Sequence, residues 1–265
     1  MADLSIFSLE GKIALVAGVT NDHSLGWGCA QALHEAGAKI FIAYQGERLK
    51  ENVLKLAKTI DATAMQMDVT HPDEVEEVFK KLSEMGGMDI LIHAIAYAPL
   101  EALRGKLIDN TTVEAFRVAM EVSAFSLISL SKTAAPIMAE RGGGSITALT
   151  YKAGESKQVI PYYNVMSAAK AALVKFAEIL AVELGPNGIR VNTISSGAVR
   201  TASSKMIRGF DILHTATITN APLRRTNTPR EVGNTAVFLA SNAASAITGV
   251  NIHVDCGDRL ATFFP

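Results

Sequence analysis

Short, unbroken apolar runs alternate with stretches of helical periodicity along almost all of this 265-residue chain, and that alternation constrains the fold more than any single motif. A strand that is apolar at every position must be covered on both faces, as in a parallel sheet packed between helices. Such runs fall at 12–16, 39–44, 63–67, 89–93, 145–150, 190–195 and 250–254. Between them, helical stripes run to Gly37, from Arg48 through Leu49, Val53, Leu56 and Ile60, from Pro72 to Met85, and through 112–140. In the last of these Phe116, Met120, Phe125, Leu127, Leu130 and Met138 are expected to be buried, with Ser131 and Lys132 at the surface. Two more helices carry Val165, Met166, Ala169, Leu173, Phe176 and Leu180, and begin at Thr228. The expected architecture is α/β, a Rossmann-type doubly wound parallel sheet of about seven strands. No linker-like run, repeat or low-complexity segment divides residues 1–265, so a single domain is expected.

With 49% apolar residues, the chain can bury a large core. A net charge of −1 and only 8 prolines argue against phosphate-driven nucleic-acid binding and against disorder. Cys29 and Cys256 give neither a disulfide framework nor metal-ligand spacing; both are expected in the core, and no metal is expected. The start M-A-D-L-S-I-F-S-L-E lacks a basic region followed by a long apolar run, and no apolar segment reaches membrane length. These features imply a cytoplasmic or matrix-type enzyme with no membrane association.

The first apolar run leads into Gly-x5-Ser-x-Gly-x-Gly between Gly18 and Gly28 and then into a helix. Glycines at a helix start let backbone N–H groups approach a pyrophosphate, whose charge the helix dipole favours. Ser24 can donate to phosphate or cap the helix. The second run ends at Gln45, where a dinucleotide fold meets the adenosine ribose. A neutral amide suits a free hydroxyl, Glu47 would repel a 2′-phosphate, and Arg48 reads as the start of the next helix. NADH is therefore the expected cofactor. His93, at the end of the fourth run, reads as a packed histidine rather than a catalyst. From Ala202 to Thr228 the pattern is polar and irregular, and a segment this long is expected to cover substrate.

Thr150 to Lys170 reads T-Y-K-A-G-E-S-K-Q-V-I-P-Y-Y-N-V-M-S-A-A-K. Pro161 suits a first helical turn. Tyr163 and Lys170 then lie seven residues apart, about two turns or roughly 10 Å of rise with about 20° of drift, so both can address one bound molecule. The block I-P-Y-Y-N-V-M-S-A-A-K resembles the active-site helix of bacterial enoyl-acyl-carrier-protein reductases, within the short-chain dehydrogenase/reductase superfamily. The resemblance extends through G-V-T-N-D-H-S-L-G-W-G, Y-Q, D-V, H-A-I-A-Y-A-P, R-V-N-T-I-S-S-G-A-V-R-T and H-V-D-C-G, nearly the whole chain. Ordinary superfamily members place a tyrosine four residues before the lysine, where this chain has Met166, and carry N-N-A-G near His93. Conjugate reduction delivers hydride three bonds from the oxygen that gathers charge, and a phenol one turn farther from the lysine fits that demand.

The resemblance implies reduction of the trans-2 double bond of an enoyl thioester on acyl carrier protein, with NADH, in fatty-acid elongation. It implies catalytic roles for Tyr163, Tyr151 and Lys170: Tyr163 stabilising the enolate oxygen, Lys170 holding the nicotinamide ribose and lowering the phenol's pKa, and Tyr151 a secondary candidate. Tyr151 stands twelve residues before Tyr163, two more than in common bacterial members, with the extra length in the polar loop 152–158. Cofactor contacts are implied at Gly18, Ser24, Leu25 and Gln45, at Asp68 and Val69 beside adenine, and at Ile95. Further contacts follow at Val199 beside the carboxamide, Arg200, Thr201 beside the pyrophosphate, Ala202 and Ser203. Ala98 is the implied substrate contact, and a homotetramer is the usual assembly. Two alternatives stay open, a ketoacyl or alcohol dehydrogenase of the same superfamily and a non-catalytic NADH-binding sensor.

Overall fold

The structure is a computed structural model that describes residues 4–152, 160 and 163–260. Among the described residues there are seven strands: β1 (Ile13–Ala17), β2 (Lys39–Tyr44), β3 (Thr63–Gln66), β4 (Ile90–His93), β5 (Gly144–Tyr151), β6 (Ile189–Ser196) and β7 (Asn251–Val254). They form one all-parallel sheet in the order β3-β2-β1-β4-β5-β6-β7. The order reverses between β1 and β4, and ligands of such sheets bind at that reversal, beyond the carboxyl ends of the strands. The register brings Ala17 opposite both Ala43 and His93, and Thr150 opposite Ser195.

Helices cover both faces. One face, with Leu15, Phe41, Leu91 and Ile146, packs on α3 (Pro72–Glu84), α6 (Ser126–Glu140) and α7 (Asn164–Leu184). The other, with Val16, Ile42, Ile92 and Ile194, packs on α1 (Leu25–Glu35), α2 (Glu47–Lys58) and α9 (Pro229–Ala240). Helices α1 and α9 meet backbone to backbone. A Cβ at Gly28 would lie 2.3 Å from Pro229 O, and one at Gly233 would lie 2.2 Å from Gly28 O. Gly28 thus serves helix packing, at a point where the sequence suggested phosphate approach. α9 starts with a full capping box, Thr228 and Glu231 bonding each other's backbone, with Pro229 in the first turn.

The region 112–140 is helical throughout but not one regular helix. After α4 (Leu107–Asn110), α5 (Val113–Met120) passes into a π-helical turn, Glu121–Phe125, and then into α6. The wide turn breaks the 3.6-residue register, so no single stripe joins Phe116 to Leu127. Leu127, Leu130 and Met138 are buried as expected; Phe116 and Phe125 are instead 48% and 54% exposed. Ser131, expected at the surface, is fully buried on the stripe of Leu127, Ala134 and Ala135, whereas Lys132 is exposed. Cys29 is a core residue whose thiol burial pushes up to about 12. Cys256 is only partly buried, in a left-handed turn after β7 (φ 57°), which corrects its placement in the core.

The irregular stretch 202–228 contains an eleven-residue helix, α8 (Phe210–Asn220), after a short turn at Ser204–Met206. Phe210 and Thr217 are its buried residues, and Met206 and Ile212 face outward. No helix among the described residues is long and apolar enough to cross a membrane. Among those residues no cluster of three His, Cys, Asp or Glu side chains could hold a metal. Pro161 and residues 153–158 of the polar loop lie outside the described residues.

Candidate active site

The exits of β1, β4, β5 and β6 converge at the sheet reversal. Gly18 follows β1 with φ 102°, and a Cβ there would stand 2.4 Å from Ala94 O. Only glycine brings the two exits this close. Ser24 caps α1, accepting from Trp27 N (3.3 Å), and donates its own hydrogen to Asn21 O (2.7 Å). Donation to a phosphate would require the hydroxyl to turn. Leu25 opens the helix behind it.

At the β2 exit the Gln45 amide Nε2 donates to Asp68 Oδ2 (2.8 Å). Asp68 also accepts from Thr70 N (2.9 Å) and Thr70 Oγ1 (2.7 Å). Burial works against its charge, but the hydrogen bonds from Gln45 and Thr70 outweigh it and hold the carboxyl below its ordinary range. Fixed in this way, Gln45 has its carbonyl oxygen left to accept from a hydroxyl. Asp68 does not cap α3, whose first turn starts at His71 without a side-chain cap. Glu47 pairs with Lys50 (2.9 Å), which tempers the repulsion expected of it, and Arg48 lies within α2. Val69 and Ile95 pack against the core.

Lys170 is buried on α7 and donates to Leu149 O (2.8 Å) and Ile95 O (3.3 Å). An ammonium has three hydrogens, so these carbonyls aim it and leave one donor over. Burial pulls its pKa down to about 7. Tyr163 immediately precedes α7 and packs with Ala98, Ala102, Val165 and Met166 in a small apolar cluster of its own. Burial raises the phenol's pKa, and Lys170 does not offset it. The direction is opposite to the lowering expected from Lys170. Tyr151, at the end of β5, meets Tyr163 edge to face, centroids 5.4 Å apart and planes at 66°. The longer loop therefore does not separate the tyrosines. Burial, then Tyr163, Asp258 and Asp255, raise the Tyr151 pKa, and among the described residues its buried hydroxyl has no hydrogen-bond partner.

At the β6 exit, Val199 N–H donates to Gly197 O (2.9 Å), so a carboxamide contact would have to use its carbonyl or open this turn. Thr201 Oγ1 accepts from Ser204 N (3.1 Å), leaving its own hydrogen to donate. Arg200 pairs with Asp211 of α8 (3.2 Å). Ala202 and Ser203 lie exposed in the following turn.

Several side chains that build this site carry no motif. Ser123, in the π turn, accepts from Tyr97 N (2.8 Å) and donates to Tyr97 O (2.9 Å), clamping the backbone of Tyr97 beyond β4. Ser126 donates to Val122 O and therefore accepts from His93 Nε2 (both 2.7 Å). His93 is then the neutral Nε2–H form, and burial followed by the Lys170 charge pulls its pKa to about 3. It is packed, not poised for proton transfer. Lys152 and Asp258 form a buried ion pair (2.5 Å), and Asp258 also accepts from Thr217 of α8 (3.2 Å). Two serines in the run V-S-A-F-S-L were the available signal for the π-turn clamps.

A glycine-walled approach at the sheet reversal, a buried ammonium with a donor to spare and a buried phenol with no partner among the described residues suit a dinucleotide beside a polar substrate group. Comparison with known proteins agrees. The family described as Enoyl-(Acyl carrier protein) reductase matches residues 18–258. The enoyl-[acyl-carrier-protein] reductase [NADH] FabI of Bacillus subtilis (strain 168) is 46% identical, over 95% of this chain and 97% of that protein. The enoyl-(acyl-carrier-protein) reductase of Anaplasma phagocytophilum, solved with NAD, superposes with a TM-score of 0.91 at 38% identity, covering 97% of each chain. The Bacillus cereus reductase, solved with NADP+ and an indole naphthyridinone, gives a TM-score of 0.91 at 43% identity over 96% of this chain and 99% of that one. By sequence over nearly its full length, and by fold, the chain belongs to the enoyl-(acyl carrier protein) reductase family.

Proposed function

We infer that the protein reduces the trans-2 double bond of enoyl thioesters carried on acyl carrier protein, with NADH, as a step of fatty-acid elongation. The observation that carries this reading is the pairing of Tyr163 with Tyr151 (5.4 Å between rings), at the start of the helix that holds Lys170. NADH, when bound, supplies the hydride. Lys170, aimed by Leu149 O and Ile95 O, holds the nicotinamide ribose through its remaining hydrogen. Gln45 accepts from an adenosine ribose hydroxyl, with Asp68 fixing its amide. The neutral Tyr163 phenol donates to the thioester oxygen, a bond that strengthens as the enolate forms. Tyr151, whose hydroxyl has no partner among the described residues, is the second donor toward the thioester end. Ala98, in the cluster with Tyr163, contributes to the acyl wall.

We treat residues 1–265 as one domain, with 202–228 covering the substrate. The assembly is proposed to be a homotetramer, because α5 and α7 present outward apolar faces, Val113 at 86% exposure and Val182 at 78%. A reaction that draws on NADH and acyl carrier protein fits the cytoplasm. Loss of NADH absorbance with a 2-enoyl thioester and with a 3-ketoacyl thioester tests the reading. Oxidation with the enoyl substrate alone is expected; oxidation only with the ketoacyl substrate would favour the dehydrogenase alternative, and none with either the sensor.

A further inference from the structure

We infer that Asn164 is a positioning residue for the Tyr163 phenol, acting through a strained backbone and a double tether; this rests on the reading of Tyr163 as the oxyanion donor. Asn164 is the first residue of α7 and has φ 42°, in the left-handed region. Among the described residues, the other non-glycine positions with positive φ are Asp61, Arg224 and Cys256; none of them adjoins either tyrosine in sequence. A side chain with a Cβ is disfavoured there, asparagine least of all. Strain of this kind persists only where the surroundings hold it.

What holds it is visible. Asn164 Nδ2 donates to Ala102 O and to Gly105 O, each at 2.8 Å, using both amide hydrogens. Those carbonyls belong to the segment that leaves β4 past Ala98, and Ala102 packs in the same small cluster as Tyr163. One neutral side chain therefore joins the substrate wall to the start of the helix. Lys170 is fixed farther along α7 by its own two carbonyls. The torsions of residue 164 then set how Tyr163 is carried relative to that ammonium. A right-handed residue 164 would keep α7 and Lys170 in place while turning the phenol away.

The test is a double-mutant cycle on the full-length enzyme: wild type, Asn164→Gly, Tyr163→Phe and the double variant, with kcat, KM for an enoyl thioester and the NADH Kd. Glycine retains the left-handed backbone and removes both tethers. Asn164→Gly is expected to lower kcat about tenfold, with NADH affinity within about twofold of wild type, and to cost less than about twofold further in the Tyr163→Phe background. If the glycine variant does not fold, Asn164→Asp, which sets a carboxylate against the two carbonyls, carries the same expectation. Equal losses in both backgrounds, or a lowered thermal midpoint with kcat intact, would mean a merely structural residue. A slow Tyr163→Phe enzyme beside a fast Asn164→Gly enzyme overturns this inference alone. Full turnover by Tyr163→Phe overturns it together with the oxyanion reading.

Discussion

A buried lysine drawn down to about 7 has two opposite pH signatures. Binding needs the ammonium, so kcat/KM for NADH is expected to fall as pH rises above about 7. Stability of the free protein runs the other way. The folded state binds fewer protons than the unfolded chain between about 7 and the ordinary lysine value of 10.5, so the Lys170 contribution becomes more favourable as pH rises through that window. Lys170→Met should flatten both limbs in rate and denaturation profiles; a limb that survives belongs to another group. At the β2 exit, Gln45→Arg should improve kcat/KM for NADPH relative to NADH, about tenfold or more, because a guanidinium pairs with the 2′-phosphate that an amide cannot neutralise. An unchanged ratio in steady-state assays would remove Gln45 as the discriminator. Tyr163, Lys170 and Gln45 could be singled out in the sequence as candidates because residue type, spacing and family resemblance mark them. The direction of the Tyr163 shift could not be read there, because burial enters it and a sequence gives no depth. Ser123 and Ser126 show in the sequence only as two serines in an apolar run; what makes them clamps is the π turn that aims them.

Between elements, backbone contact decides more than propensity. Gly28 and Gly233 allow α1 and α9 to touch, and Gly28→Ala is expected to cost about 1–3 kcal/mol or more in denaturant unfolding, through overpacking against Pro229. A neutral substitution would mean that the helices can part freely. Helix α8 escaped the sequence reading because F-D-I-L-H-T-A-T-I-T-N is rich in β-branched residues and shows no clear apolar stripe. The expectation that this region covers substrate leads to a graded test. Its far end is tied down by Thr217 on Asp258, while the near end around Met206 is exposed. Hydrogen exchange across 201–213 should slow when NADH and an acyl ligand are both bound, with 214–220 changing less. Full protection of the whole segment in the free protein would show a fixed wall. Phe116 and Phe125 were expected in the core on a single helical stripe, and the π turn breaks that register.

For the molecule as a whole, strand number and all-parallel order followed from alternating apolar runs, because covering a strand on both faces leaves few arrangements. Quaternary structure is where such a reading stops, since an exposed apolar helix face looks like core until the fold is drawn. Light scattering is expected to give four chains per particle, with Val113→Asp combined with Val182→Asp lowering that number; a monomer in the unmodified protein would contradict the proposed assembly. The central claim is conjugate reduction, hydride to the β-carbon while Tyr163 holds the oxygen three bonds away. Its most direct measurement uses NADH deuterated at the transferable position, one turnover on a 2-enoyl thioester, and mass spectrometry of the product. Conjugate reduction gives a saturated acyl thioester with deuterium on the β-carbon. Deuterium on a carbinol carbon, or a substrate returned unlabelled while NADH stays bound, would contradict it.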